Sequence, residues 1–399
     1  MQQGEVIRSF SRLKLYCEDE NFAGWDPYDG LNSRIFKTLP LVGRSALARL
    51  VWIQLFKRNP FNLRRLMLVP KGHNAKAIGL FLHGYCNLHN MGGEFAAGSV
   101  ERINSLGDKL LQMRAPGFSG AGWGYNFPWQ CRREFLFPAG EPTVVATQFC
   151  ASALLEAYDI TGREDFRDAA LSSAQFVLRD LHRTPVGPGF LLSYSRMKGN
   201  DTIYNASLLG SRLLMLCREY GAPEPDELLR VARSSVAAVC SQQQPDGSWT
   251  YGLKPATAWK DSFHTGYNLD ALQTYKELSG DNSFDEVINK GLRYYTEAFF
   301  LPDGTPKYYN DRIYPIDIHC PGQLFVTLSR LHRWDEHRDL ARKVMDWTIN
   351  RMQAPRGNFY YQIKKGISSH IPYMRWSDAF MFAAMTHYLM EEQRYATKD

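Results

Sequence analysis

Apolar residues recur along the chain at the three-to-four-residue spacing of helices, and strand-like alternation is scarce. The helical stretches are of two kinds. Five are apolar nearly all round and open on a polar or proline start. They are PTVVATQFCASALLEAYDITG from Pro142, DTIYNASLLGSRLLMLCREYG from Asp201, DSFHTGYNLDALQTYKELSG from Asp261, DIHCPGQLFVTLSRLHRW from Asp317 and RWSDAFMFAAMTHYLME from Arg375. Their starts lie 56 to 60 residues apart, a near-constant period that marks a repeat architecture. KAIGLFLHGYCNLHNM, from Lys76, is a less regular sixth member because a long loop follows its partner helix.

Amphipathic stretches with one charged face alternate with these, such as EDFRDAALSSAQFVLRDLH and PDELLRVARSSVAAVCSQQQ. Helices over 98–113 and roughly 44–58 bring this second set to six. Six apolar helices inside six amphipathic ones describe an all-α fold, an (α/α)6 toroid. Residues 1–43 are then an N-terminal extension packing on the toroid, and 44–399 form it as a single domain.

The links between helices are unequal. Inner-to-outer links are short turns such as DITGRE and LSGDN, whereas outer-to-inner links are long, such as PDGSWTYGLKPATAWK. Long links in a compact domain tend to carry function. All of them fall at the end of the barrel where the inner helices begin, which is therefore the predicted active face.

Composition adds to this picture in three places. The charge is +6, mildly basic and without the runs of a nucleic-acid-binding surface, so no nucleic acid partner is expected. The seven cysteines are scattered, with no C-x-x-C pair, which fits reduced thiols in a cytoplasmic protein. No apolar run reaches the length of a signal peptide or a membrane span. Aromatic residues reach 13%, and many lie in the long links.

Those aromatics, Tyr125, Trp129, Tyr194, Trp259 and Trp376 among them, offer flat apolar faces with polar edges that suit sugar rings or polycyclic hydrocarbons. Trp123 and Trp249 share the links. The cations Arg196, Lys260, Arg312 and Arg375 stand on the same face, with Arg132, Arg133, Lys198, Lys364 and Lys365. Together with the inner-helix N-termini they predict an electropositive mouth for an anionic ligand. Asp201, Asp261 and Asp317 recur just before inner helices, where a carboxylate caps exposed N–H groups. Capping explains Asp201. Asp261 and Asp317 are each followed by a histidine, His264 and His319, and a carboxylate beside an imidazole makes a general base or acid near neutral pH. Asp378 adds a carboxylate for glycosidic chemistry, and Tyr308 with Tyr309 a phenolic acid or base. Asp317, His319, Cys320 and His370 match no standard zinc spacing, and neither a metal nor another cofactor is expected.

QQQPDGSW at 242–249 resembles the Q-x-x-x-G-x-W signature of terpenoid cyclases, and MQAPRGNFYY at 352–361 looks like a degenerate copy. That resemblance implies an α/α toroid in which the element ties an outer helix end to the next loop. The cyclases' acidic D-x-D-D motif is absent. WDPYDGLNS at 25–33, GWGYNFPWQ at 122–130 and HTGYNLDAL at 264–272 together look like a bacterial toroid family associated with capsule and exopolysaccharide biosynthesis. This second resemblance implies a cytoplasmic protein acting on a glycan or its lipid-linked oligosaccharide precursor, and brings no established catalytic residues.

The expectation is thus a carbohydrate-active enzyme working by acid/base chemistry on an acidic, uronate-type glycan. Lyase or epimerase chemistry fits the cations better than hydrolysis. Two other readings stand beside it: a terpenoid cyclase-like or lipid-handling toroid, with an Asp cluster deep in an apolar cavity, and a non-catalytic glycan-binding scaffold. The basic helix ALARLVWIQLFKRNPFNLRR leaves peripheral contact with a membrane open.

Overall fold

The computed structural model describes residues 3–39, 43–131 and 135–397. Six helices form a closed inner ring: α3 (Ala75–Met91), α5 (Val144–Thr161), α7 (Tyr204–Glu219), α9 (Ser262–Ser279), α11 (His319–Arg330) and α13 (Phe380–Ala396). Each packs on the next, and α13 packs back on α3. Their burial on all sides explains the all-round apolar pattern. Val144–Cys150 of α5, for example, shows one half-buried residue, Phe149, among buried neighbours. The outer helices α4 (Ser99–Gln112), α6 (Glu164–Gln175), α8 (Pro225–Cys240), α10 (Asp285–Phe299) and α12 (Trp334–Met352) each lie against the preceding inner helix.

The sixth outer place corrects the expected boundaries. It belongs to α1 (Gln3–Asp19), which packs on α13 with Phe10 and Phe382 rings 5.1 Å apart. The first residues are thus a stave of the ring and not an extension of it. The helix expected in the ring over 44–58 does form, as α2 (Ala46–Arg58), but it belongs to the long link 20–74 between α1 and α3. There it packs against the segments Asp29–Asn32 and Trp129–Cys131 on the loop face.

One device is repeated around the ring. After each of five outer helices a glycine lies directly on a backbone carbonyl of the following outer helix. The pairs are Gly120 on Ser172, Gly189 on Ser234, Gly247 on Lys290, Gly304 on Lys343 and Gly357 on Arg12, where a Cβ would come within 1.8 to 2.5 Å of the oxygen. The glutamines of the two Q-x-x-x-G elements complete the joint. Gln243 Nε2 donates to Gly247 O (3.0 Å) and Val287 O (2.8 Å), and Gln353 Nε2 donates to Gly357 O (3.0 Å) and Ser9 O (2.9 Å). Trp249 Nε1 donates to Val239 O near the end of α8 (3.1 Å), and Trp123 Nε1 does the same to Leu110 O of α4 (2.8 Å). Both indoles are buried structural anchors and not part of an open wall.

The long links do gather at the N-terminal ends of the inner helices, and they carry short antiparallel pairings absent from the sequence reading. These are Trp129–Cys131 with Phe135–Phe137, Arg183–Val186 with Gly189–Leu192, and Ile316–Asp317 with Gln362–Ile363 and Ser368–Ser369. No helix among the described residues is long and apolar enough to cross a membrane.

Gly357 has φ +101° as well as the close approach to Arg12 O (2.3 Å). Gly357→Ala is therefore expected to destabilise the fold by about 2–4 kcal/mol in denaturant unfolding. It should also speed proteolysis within α1. Gly366→Ala, at φ +82° in open space, carries backbone strain alone and should cost only about 1 kcal/mol. Equal losses in the two variants would show that contact with α1 is not what Gly357 provides.

Candidate active site

The inner-helix N-termini and the long links enclose a cavity of about 480 Å³. Its wall is built from stacked and edge-on rings. Trp129 stacks on Phe137 (4.5 Å), Tyr251 on Trp259 (4.7 Å), and the hydroxyls of Tyr125 and Tyr194 meet at 3.2 Å. Phe263, Tyr267, Tyr308 and Trp376 continue the wall.

Asp261 caps α9, accepting from His264 N at 3.0 Å, as its position before the helix predicts. Its other oxygen accepts from His264 Nδ1 (2.8 Å) and from Trp259 Nε1 (3.0 Å). Asp261 is 2% exposed, while His264 lines the cavity. With Nδ1–H given to the carboxylate, the imidazole's lone pair is on Nε2, which has no protein partner among the described residues. A carboxylate-held imidazole is an arrangement suited to general acid–base chemistry.

The second pair differs. Asp317 accepts from His319 N (3.0 Å), Trp376 Nε1 (2.9 Å) and Gln362 Nε2 (2.6 Å). His319 Nδ1 is 3.6 Å from Asp317, too far for a hydrogen bond, and is left unsatisfied. The ring stacks on Phe380 at 4.0 Å, and burial pulls its pKa down to about 4. His319 reaches the cavity as a neutral, apolar-flanked ring.

Arg375 also lines the cavity, gripping Asp26 with Nε on Oδ2 (2.5 Å) and Nη2 on Oδ1 (2.9 Å) and covering the Tyr125 ring at 4.8 Å. Nη1 is left without a protein partner among the described residues. Asp26 raises the Arg375 pKa above the ordinary arginine value against the opposing cost of burial.

Several expected site residues lie elsewhere. Arg196 stacks over Phe118 and pairs with Glu141 (3.3 Å), Lys260 pairs with Asp246 (3.0 Å), and Arg312 lies exposed over the Tyr309 ring. None of the three lines the cavity. Asp201 does not cap α7 but accepts from Thr184 Oγ1 (2.9 Å). Lys364 donates to Arg58 O (3.2 Å), and His370 stacks on Tyr360. Arg132 and Arg133 lie outside the described residues. Asp378 is turned out of the ring toward α1, accepting from Phe359 N (2.8 Å) near Tyr16 and Cys17. Burial there pushes its carboxyl well above the ordinary range. No cluster of three or more potential metal-ligating side chains occurs among the described residues.

Two contributors escaped the sequence reading. Lys76, 4% exposed on the cavity side of α3, lies over Phe149 (4.2 Å) with Nζ 3.3 Å from the Tyr267 hydroxyl. Burial and the nearby Arg375 push its amine well below the usual lysine range. Asp26 anchors Arg375, and its turn is held from behind by Arg64, which donates to Asp29 Oδ1 (2.8 Å) and Asp26 O (2.6 Å). The WDPYDG stretch carried that signal without a structural meaning until the turn was visible. No carboxylate lines the cavity among the described residues. The Asp cluster that terpenoid cyclase-like chemistry would need is therefore missing from it.

No protein-family model matches the chain, and no curated protein matches it. Solved structures do. Cellobiose 2-epimerase from Bacillus thermoamylovorans B4167 superposes with a TM-score of 0.61 at 13% identity, over 80% of this chain and 88% of that one. A GH76 α-mannanase from Bacteroides thetaiotaomicron gives 0.59 at 12% identity, over 81% and 88%. An unsaturated glucuronyl hydrolase specific for heparin gives 0.55 at 12%, over 79% and 86%. The likeness confirms the all-α toroid expected from the repeat.

The position of Asp378 generates a pH test. Its folded-state pKa lies above the unfolded value, so proton uptake favours the fold. That contribution is complete below the ordinary carboxylate pKa, near about 4, and is lost as pH rises toward the folded value. Asp378→Asn keeps an acceptor for Phe359 N without a charge. It is expected to flatten the decline of thermal stability above about pH 4 and to leave turnover intact. A wild-type pH profile in the variant, or lost turnover at unchanged stability, would contradict this placement.

Proposed function

We propose that the chain is a carbohydrate-active enzyme that removes a proton from a sugar held in the aromatic cavity, with His264 as the base. The observation that carries this reading is the buried Asp261 carboxylate fixing the ring of a cavity-facing histidine. The three superposed structures are named for carbohydrate chemistry, an epimerase and two hydrolases, which agrees with the same reading.

Within that class the geometry supports lyase or epimerase chemistry over hydrolysis. Two-carboxylate glycosidic cleavage needs acidic side chains on both sides of the scissile bond, and the described cavity wall has none. Abstraction beside a uronate carboxylate uses what is present. Arg375 offers Nη1 to the substrate carboxylate, which lowers the cost of the developing enolate. His264 Nε2 takes the proton from the adjacent carbon. The phenol of Tyr308, held well above the usual tyrosine pKa by burial, stays protonated and can donate to a leaving oxygen or back to carbon. Tyr267 and the desolvated Lys76 amine form a second proton-carrying pair on the same wall. The aromatic wall supplies stacking for the ring. A cytoplasmic role in capsule or exopolysaccharide formation, on a lipid-linked precursor, is the biological setting this reading takes.

His264→Ala is expected to lower turnover of uronate-containing oligosaccharides by about 10²- to 10⁴-fold. The midpoint of unfolding should hardly move. Asp261→Asn should lower kcat with little change in KM, because it misorients the base without touching substrate. Solvent deuterium exchange at the carbon beside the carboxylate reads the abstraction step for lyase and epimerase alike. Exchange that survives in His264→Ala would remove the assignment.

A further inference from the structure

The exposed face of α2 is apolar where a surface helix is normally polar. Its inner residues Ile53 and Phe56 are buried, and Leu50, Ile53, Gln54 and Lys57 line the cavity. Its outer stripe, Leu47, Val51 and Leu55, is 52%, 61% and 44% exposed. Of the fourteen exposed large hydrophobic residues among those described, eight fall between Ile35 and Leu68, including Phe61 at 75% and Leu66 at 68%. Local contacts tie the two ends of this segment and α2 together. Ser33 Oγ donates to Met67 O (2.6 Å), Arg34 N to Leu68 O (3.2 Å), and the Phe36 and Trp52 rings lie 5.0 Å apart.

Charge on this segment is of one sign. From Gly30 to Gly93 the sequence holds ten lysines and arginines and no acidic residue, so the rest of the chain carries −4 against the total of +6. Arg34, Lys37, Arg44, Arg58 and Arg65 are exposed among the apolar residues.

We propose that residues 34–39 and 43–68, centred on the outer stripe of α2, dock the protein on an anionic lipid membrane with the cavity mouth turned toward it. Leu47, Val51, Leu55 and Phe61 enter the interfacial region while the surrounding cations meet lipid phosphates. A second copy fits less well, because a two-fold contact through this face would set its arginines and lysines against their own copies. The docking rests on this surface and not on the sugar chemistry. Combined with that chemistry, it brings a glycan carried on a membrane lipid to the rim that α2 forms.

Flotation of the full-length protein with vesicles of phosphatidylcholine alone, or with about one-third phosphatidylglycerol, tests this without any substrate. Binding to the anionic vesicles should be at least about tenfold tighter and should weaken as salt rises. The double variant Val51→Glu, Leu55→Glu should lose about tenfold or more of that binding, and Arg44→Glu should reduce it with the apolar stripe intact. Leu15→Glu, a control on the exposed face of α1, should leave it unchanged. Equal binding to both vesicle types, or equal loss in Leu15→Glu, would overturn the proposal. So would a dimer that the α2 variant dissociates in light scattering, which makes the occupant a second copy. Tight binding of polyglutamate without vesicle binding would make it an acidic protein.

Discussion

Everything in this molecule hangs on the joint between successive outer helices. An inner ring of six apolar helices gains its burial only when each is backed by an outer helix, and a repeat architecture passes that requirement from neighbour to neighbour. At each of five joints the chain leaves an outer helix, turns at a glycine and lies on a carbonyl of the next outer helix. The fifth joint, Gly357 on Arg12, reaches back to the first helix and converts an open array into a closed one. Gln353 strengthens this closure with hydrogen bonds to Ser9 and from Arg12 (2.7 Å). An open array would leave two apolar helix faces in water, so the closing contact decides whether the rest is stable.

Closure also makes the site. Once the ring is shut, six inner-helix N-termini converge on one end, and the long links have only that end to occupy. The described N-termini are satisfied by different devices, Asn74 for α3, Thr143 for α5 and Asp261 for α9. Asp261 has a second oxygen to put to further use, and it holds an imidazole and an indole. A charge-assisted hydrogen bond of this kind contributes about 1.5–3 kcal/mol, enough to hold the His264 ring in one orientation. The longest link, 20–74, then covers the mouth with α2 and sends Asp26 down to Arg375.

The ring was legible because its signal is long and periodic. Repeats of near-constant spacing located five of the six inner helices to within a few residues, and unequal link lengths located the functional end. What the periodicity missed was the identity of the sixth outer helix. Gln3–Asp19 and Ala46–Arg58 are both helical, and the contacts that distinguish ring from lid, with α13 and with Gly357, are distant in sequence. The cations were misread for a related reason. Arg196 and Lys260 sit on the correct face, but Glu141 and Asp246 hold them outside the cavity. Lys76 was invisible because a lysine in an apolar run reads as a surface position, whereas here its ammonium loses its water to two rings. The electropositive mouth is correspondingly weaker than expected: Asp26 balances Arg375, and burial drives Lys76 toward its neutral form.

The acidic residues carry a more general lesson. Asp261, Asp317 and Asp378 all stand at inner-helix starts, which drew them together as catalytic candidates, and none lines the cavity. Asp378 turns outward to Phe359 N, whereas Asp261 and Asp317 turn toward the N–H groups of the first turn, donors that have no other partner. That geometry draws these two back from the ligand and leaves their remaining lone pairs for whichever side chain follows. In Asp261 that neighbour is His264 at i+3, one helical turn on and at hydrogen-bonding distance. In Asp317 the neighbour at i+2 presents its backbone N–H, and its ring falls outside hydrogen-bonding reach, so Trp376 and Gln362 take the carboxylate instead. Asp26 repeats the arrangement with a guanidinium. Asp261, Asp317 and Asp26 thus hold an imidazole, an indole and a guanidinium from one layer behind the cavity wall. The difference between D-x-x-H and D-x-H separates a histidine held by its carboxylate from one packed against a ring. The group that lines the cavity is the residue the carboxylate holds, and the spacing between the two is what the sequence makes readable.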